Sequence, residues 1–181
     1  MNALIFIVKA LASLFLLVLL LRFWLPMVKA DFRNPIAQAI LKITSPLIIP
    51  IRRVIPSIGR IDTATVIVTF AVQYLVIWFE FAVTGVPTLI GAIAYASAVK
   101  LVLLSLQLFM FAILIYVILS WVAPGTYNPA TNLVSQLVYP ILGPFSSLIP
   151  RLGGIDITPI IVIILLQASM ILVMDLTGVR F

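Results

Sequence analysis

Cysteine and histidine are both absent from the 181 residues, and charged side chains make up only 9% of them. Without cysteine there is no disulfide, no thiolate nucleophile and no thiolate-held zinc or iron–sulfur cluster. Without histidine the commonest general base and the usual haem ligand are missing. Most hydrolase and metal chemistry is set aside by these two absences, and the chain is read as a non-enzyme with no cofactor and no metal. What is abundant is apolar surface: 64% of residues are hydrophobic, too many for a soluble fold to cover. Lipid must therefore replace water over most of the molecule. The 11 basic and 5 acidic residues leave a net charge of +6. These cations are neither gathered in a tail nor interleaved with aromatics on an exposed face, so nucleic acid is not an expected partner, whereas the anionic headgroups of a membrane are.

A helix needs about 20 apolar residues to cross the bilayer core. Four stretches qualify: Ala3–Met27, Thr63–Thr84, Leu101–Val122 and Ile157–Leu176. Lys9 beside the first run superficially suggests a signal peptide, but the run continues through Arg22-Phe23-Trp24-Leu25-Pro26 with no small-residue cleavage site, so a retained span is expected. Trp24 and Trp121 stand where an aromatic belt would lie, with Pro26 and Pro124 as helix stops. Lys9 and Arg22 are placed to snorkel towards opposite interfaces. The uncharged stretch Phe81–Val99 is long enough for a fifth crossing, but Gly85, Pro87 and Gly91 interrupt its first half. An interfacial or extended lead-in to the third span is expected there, because one helix over 88–122 would be about 52 Å long against a core of ~30 Å.

The chain also matches itself at an offset of 94 residues. Asn34-Pro35 aligns with Asn128-Pro129, Pro46 with Pro140, Pro50 with Pro144, Pro56 with Pro150, Gly59 with Gly153, Ile61-Asp62 with Ile155-Asp156, and Gln73 with Gln167, with no gap. So many Pro, Gly and Asn coincidences indicate tandem duplication rather than shared apolar composition. The expected fold is therefore all-α: four transmembrane helices forming two parallel-repeat hairpins, each with a Pro-rich connector. Repeat 1 covers 1–85, a link 86–100, and repeat 2 101–181. Lys29, Arg33, Lys42, Arg52, Arg53 and Arg60 crowd the first connector, while Arg151 alone marks the second and Lys100 alone the link. The positive-inside rule puts both connectors in the cytoplasm and both termini outside.

Each connector opens with an Asn N-cap and a Pro at the first helical position, here Asn34 and Pro35, followed by Ile36, Ala37, Ile40, Leu41 and Ile43 as an amphipathic segment. Interior prolines remove hydrogen bonds and clash with the preceding turn, so Pro46 to Pro56 is not expected as one uninterrupted helix. Non-helical backbone survives at depth only when buried by protein or wetted. The connector is thus an amphipathic interfacial mat or a shallow re-entrant hairpin.

The ordered series Pro46, Pro50, Pro56, Gly59, Asp62 and its copy Pro140, Pro144, Pro150, Gly153, Asp156 resembles the YggT/YlmG family of small bacterial and plastid membrane proteins. The resemblance spans nearly the whole chain, and its duplicated form is similar to the proteobacterial branch. The first copy departs from the family ending Gly-Gly-Ile-Asp-(Ser/Thr)-Pro, carrying Arg60 and Ala64-Thr65 instead. The resemblance implies a multi-pass protein of the bacterial inner membrane. It also implies roles such as membrane-complex maturation (including haem attachment to a cytochrome), cell division or osmotic tolerance.

Among polar residues, Asp62 and Asp156 read either as paired carboxylates holding a cation or proton, or as caps on the helices they precede. Gln73 and Gln167 lie 11 residues further, about 16 Å deeper and near the bilayer middle, as interhelical hydrogen bonds or as an ion path. Glu80 is an ionisable group near an interface, pairing there or meeting water. Arg52-Arg53 faces lipid phosphate, a nucleotide or an acidic protein, and its counterpart is Ser146-Ser147. The leading function is a scaffold or assembly factor whose connectors meet lipid and other membrane or division proteins. The alternative is a small monovalent-cation channel or transporter along Gln73, Gln167 and Glu80. Four helices make a thin bundle, so such a pore requires a homo-oligomer.

Overall fold

The computed structural model describes residues 2–87, 89–122, 128–147 and 156–179. Six helices account for nearly all of them: α1 (Asn2–Met27), α2 (Pro35–Arg52), α3 (Thr63–Thr84), α4 (Ile90–Val122), α5 (Pro129–Ser146) and α6 (Thr158–Thr177). Four of these, α1, α3, α4 and α6, are long and apolar enough to cross a membrane. Among the described residues there is no strand, only a single bridge between Ile58 and Ile61.

Local chemistry sets the helix ends. α1 stops one residue after Pro26, and the chain turns through Lys29, whose φ of 57° is the left-handed conformation that closes a Schellman motif. Ala30 N–H donates to the Leu25 carbonyl and Lys29 N–H to the Pro26 carbonyl, while the Ala30 and Leu25 side chains share one apolar cluster. Asn34 caps α2 by accepting from Ile36 N–H, with Pro35 at the first helical position. Asn128 does the same for α5 in a capping box with Thr131. The two caps also meet, since the Asn34 amide donates to the Pro129 carbonyl at 2.6 Å. α3 ends at Gly85, whose φ of 69° a side chain would resist.

Of two expectations about breaks, the first holds, since 46–56 is not one helix, and the second is corrected. α2 runs straight through Pro46 and Pro50 and stops only at Arg52, short of Pro56; α5 likewise runs through Pro140 and Pro144. The hydroxyls in the turn before Pro46 bond back onto the helix. Thr44 Oγ1 donates to the Ile40 carbonyl at 2.6 Å and Ser45 Oγ to the Leu41 carbonyl at 2.6 Å. The lead-in to the third span is likewise helix: α4 begins at Ile90 and continues for 33 residues, about 50 Å. Gly85 and Pro87 lie upstream of Ile90, Gly91 falls in the first turn where a poor helix former costs least, and the Ala-rich run 92–98 favours helix. Pro150 and Gly153 lie outside the described residues.

α1 packs on α2 and α3, α4 on α5 and α6, and α3 also on α4, with α2 touching α5. One cluster, with Leu20, Phe109, Ile113, Val138 and Val162, joins α1, α4, α5 and α6. Another, Leu19, Ile48, Ala64 and Val68, joins α1, α2 and α3. Trp24 packs edge-on against Phe109, ring centroids 4.8 Å apart; Trp121 is exposed. Of the four spans α4 is the most enclosed and α6 the least.

Candidate functional site

The most concentrated polar chemistry lies where α1, α2 and α3 meet. Arg22 does not snorkel: it is 3% exposed and turned inward from the last turns of α1. Its Nη1 donates to Thr44 Oγ1 at 2.7 Å, to the Leu41 carbonyl at 3.1 Å and to Ser45 Oγ at 3.3 Å, all in the turn before Pro46. The guanidinium is thus plugged into the turn of α2 that precedes Pro46. Its Nε lies 3.9 Å from Asp62 Oδ2 and makes no hydrogen bond among the described residues.

Asp62 is the N-cap of α3 and 7% exposed. Its Oδ1 accepts from Thr65 N–H at 3.4 Å; its Oδ2 accepts from Thr65 Oγ1 at 2.6 Å and pairs with Arg52 at the end of α2. Burial pushes the carboxyl pKa up, but the hydrogen bonds from Thr65 and Arg52 outweigh it and hold the group below the ordinary carboxylate range. Two arginines therefore share one buried carboxylate, and the cluster keeps one excess positive charge. Arg52 is the open side, with 46% of its side chain exposed.

Beyond Arg52 the chain makes a protruding turn. Ile58 and Ile61 exchange backbone hydrogen bonds at 3.1 and 3.0 Å around Gly59-Arg60. Gly59 has φ of 60° and Arg60 does not have positive φ, the pattern of a type II′ turn in which glycine leads. Thr63 Oγ1 donates to the Pro56 carbonyl and ties the turn to the start of α3. Its outer surface carries exposed Val54, Ile55 and Ile58 among exposed Arg53 and Arg60.

A second polar group marks the far end. Lys9 Nζ reaches Glu80 Oε1 at 2.8 Å, both partly exposed, so Glu80 is paired with a cation. Cavities of 550 and 330 Å³ flank Glu80 and Thr84, the latter lined also by Lys100. Asp62 and Glu80 are 18 residues apart on one helix, about 27 Å and close to the ~30 Å hydrocarbon core.

The remaining expected residues are not brought together. Asp156 accepts from Thr158 N–H at 2.9 Å but is exposed, one residue ahead of the Ile157 N-cap, so the repeat aspartates differ in environment. Gln73 is 4% exposed, whereas Gln167 is exposed, contrary to the expectation that both face the interior. The cause is helix neighbours: α3 is packed by α1, α2 and α4, but α6 mainly by α4 and α5. Arg22, Thr44 and Thr65 are the residues that sequence reasoning missed. The triplet Thr44-Ser45-Pro46 and a lone arginine inside a span were the available signals. Among the described residues no group of three Asp, Glu, His or Cys side chains gathers as metal ligands.

A family profile described as CCB3/YggT matches residues 1–81 and 95–177, two segments whose starts are 94 residues apart. An uncharacterised protein of Pseudomonas aeruginosa is 42% identical over 176 residues, covering 96% of this chain and 89% of that protein. The uncharacterised protein YggT of Escherichia coli K12 is 36% identical over 169 residues, covering 92% and 86%. One from Vibrio alginolyticus is 35% identical over 180 residues, covering 98% and 97%. No solved structure matches the chain.

Proposed function

The chain belongs to the CCB3/YggT family, and from that premise we propose that it is a non-enzymatic, multi-pass scaffold of the bacterial inner membrane, built from two copies of one helix–connector–helix unit. Duplication is supported by α2 and α5, both 18 residues long, whose starts and ends each differ by the 94-residue offset. It is also supported by an apolar slot of 220 Å³ between the halves. Its lining includes the equivalent pairs Leu17/Phe111, Leu21/Ile115 and Ile40/Val134.

The observation that carries the functional reading is the Arg22–Asp62–Arg52 clasp. It fastens the connector to the bundle while leaving the 53–61 turn outside, with exposed Val54, Ile55 and Ile58 set between exposed Arg53 and Arg60. Such a surface suits the interface of an anionic leaflet, where buried Val and Ile side chains and phosphate-facing Arg act together. The exposed Lys29, Arg33, Lys42, Arg53 and Arg60 lie on the same connector, which orients it to the cytoplasm. Partner membrane proteins, in complex maturation, division or osmotic tolerance, would meet this rigid face. Purified protein in liposomes is expected to show no ion flux above empty vesicles. A flux abolished by Gln73→Leu at unchanged thermal stability would replace the scaffold with a channel.

A further inference from the structure

Gln167 places an amide, with no hydrogen bond among the described residues, on the exposed face of the least enclosed span. An amide facing lipid leaves its donors and acceptors unsatisfied, so the face that carries it calls for a protein neighbour with a matching surface. The molecule contains a template for that neighbour. In repeat 1 the equivalent Gln73 is buried in the row Thr69, Gln73, Ile77. Thr69 lines a 440 Å³ cleft together with Leu101 and Ser105 of α4, and Ile77 lines the Glu80 cavity with Ala96 and Lys100 of α4. The first helix of repeat 2 thus covers the last helix of repeat 1.

Carried forward by one repeat, the same interface would set α1 of a following chain against α6. Both faces it would use are bare. On α6 they are Ile160, Gln167 and Ile171, equivalent to Val66, Gln73 and Ile77; on α1 they are Ile7 and Leu11, equivalent to Leu101 and Ser105. Exposed residues on α1 recur as Leu4, Ile7, Leu11, Leu14, and those on α6 as Ile160, Ile164, Gln167, Ile171. Both follow the alternating three- and four-residue spacing of a helix-packing seam. We propose that a second copy of this chain docks its α1 against α6, reusing the α3–α4 interface, so that copies join head to tail and Gln167 is buried as Gln73 is. This rests on the duplication reading above. Head-to-tail contact either closes a ring or extends, and it doubles the basic connector surface presented to the leaflet.

The chain has no cysteine, so engineered pairs report contacts directly. Two differently tagged copies, one carrying Ile160→Cys and the other Leu11→Cys, are coexpressed and oxidised in membranes. Val66→Cys with Ser105→Cys in one chain is the internal control. The expected result is a disulfide-linked dimer bearing both tags that requires both cysteines. If the control closes and no mixed dimer forms, the docking proposal is wrong while the repeat reading stands. If Ile160→Cys alone gives an equal dimer, the contact is a symmetric α6 pair and the head-to-tail geometry is wrong. If the control itself fails, the α3–α4 template and the proposal fall together.

Discussion

Replacing Asp62 with Asn isolates the charge at the centre of the clasp, because Asn is as good an N-cap and can still accept from Thr65. What it removes is the carboxylate shared by Arg22 and Arg52. Arg52 is half-exposed and can turn to water or headgroups, so its loss of partner costs at most about 1 kcal/mol. Arg22 has no such exit. It is 3% exposed and held by Thr44, Ser45 and the Leu41 carbonyl, so it would be left as an uncompensated buried cation, a cost of about 3–5 kcal/mol. Arg22→Met on the same background removes the stranded charge, and the double variant is expected to be more stable than Asp62→Asn alone. Reversible unfolding in mixed detergent micelles, followed by tryptophan fluorescence, measures all four proteins. An Asp62→Asn protein within about 1 kcal/mol of the native one, or a double variant whose loss is the sum of the singles, would refute the coupling.

Three further outcomes follow from the same geometry. The Asp62 pKa is lowered on folding, so its contribution is fully present above the unfolded value of about 3.9 and disappears as pH falls through the lower folded value; pH-dependent melting should show a destabilisation confined to strongly acidic solution, absent from Asp62→Asn. Gln73 is enclosed but makes no hydrogen bond among the described residues, and Gln167 is exposed, so Gln73→Leu and Gln167→Leu should each leave the stability of the isolated chain unchanged or slightly raised; a loss of about 1 kcal/mol or more at Gln73 in thermal unfolding would contradict the assigned environment. A topology reporter fused after Phe181 should be active only outside the cytoplasm, given the basic connector between Lys29 and Arg60.

The four apolar spans, the two Asn-Pro helix starts and the capping by Asp62 were legible in the sequence, because each depends on local composition over a few residues. The break before Pro56 was legible in the prolines, whereas the passage of α2 through Pro46 and Pro50 was not, because it depends on packing against α1 and α3 and on an arginine from another helix. Arg22 misled because near a span's end snorkelling is the default, and only the tertiary approach of Thr44, Ser45 and the Leu41 carbonyl, with Asp62 beside them, turns it inward. Gln73 and Gln167 are identical by repeat, and no one-dimensional symmetry reveals that α3 has helices on three sides while α6 sits at the edge.

The 53–61 turn should lie at an anionic membrane surface, held there by the clasp. A spin label on Ile58→Cys in liposomes, read by its relative accessibility to oxygen and to a water-soluble nickel complex, tests this directly. The label should sit at headgroup depth in vesicles containing anionic lipid, and move into water when Asp62→Asn is added. A label equally water-accessible in anionic and zwitterionic vesicles, with or without Asp62, would contradict it.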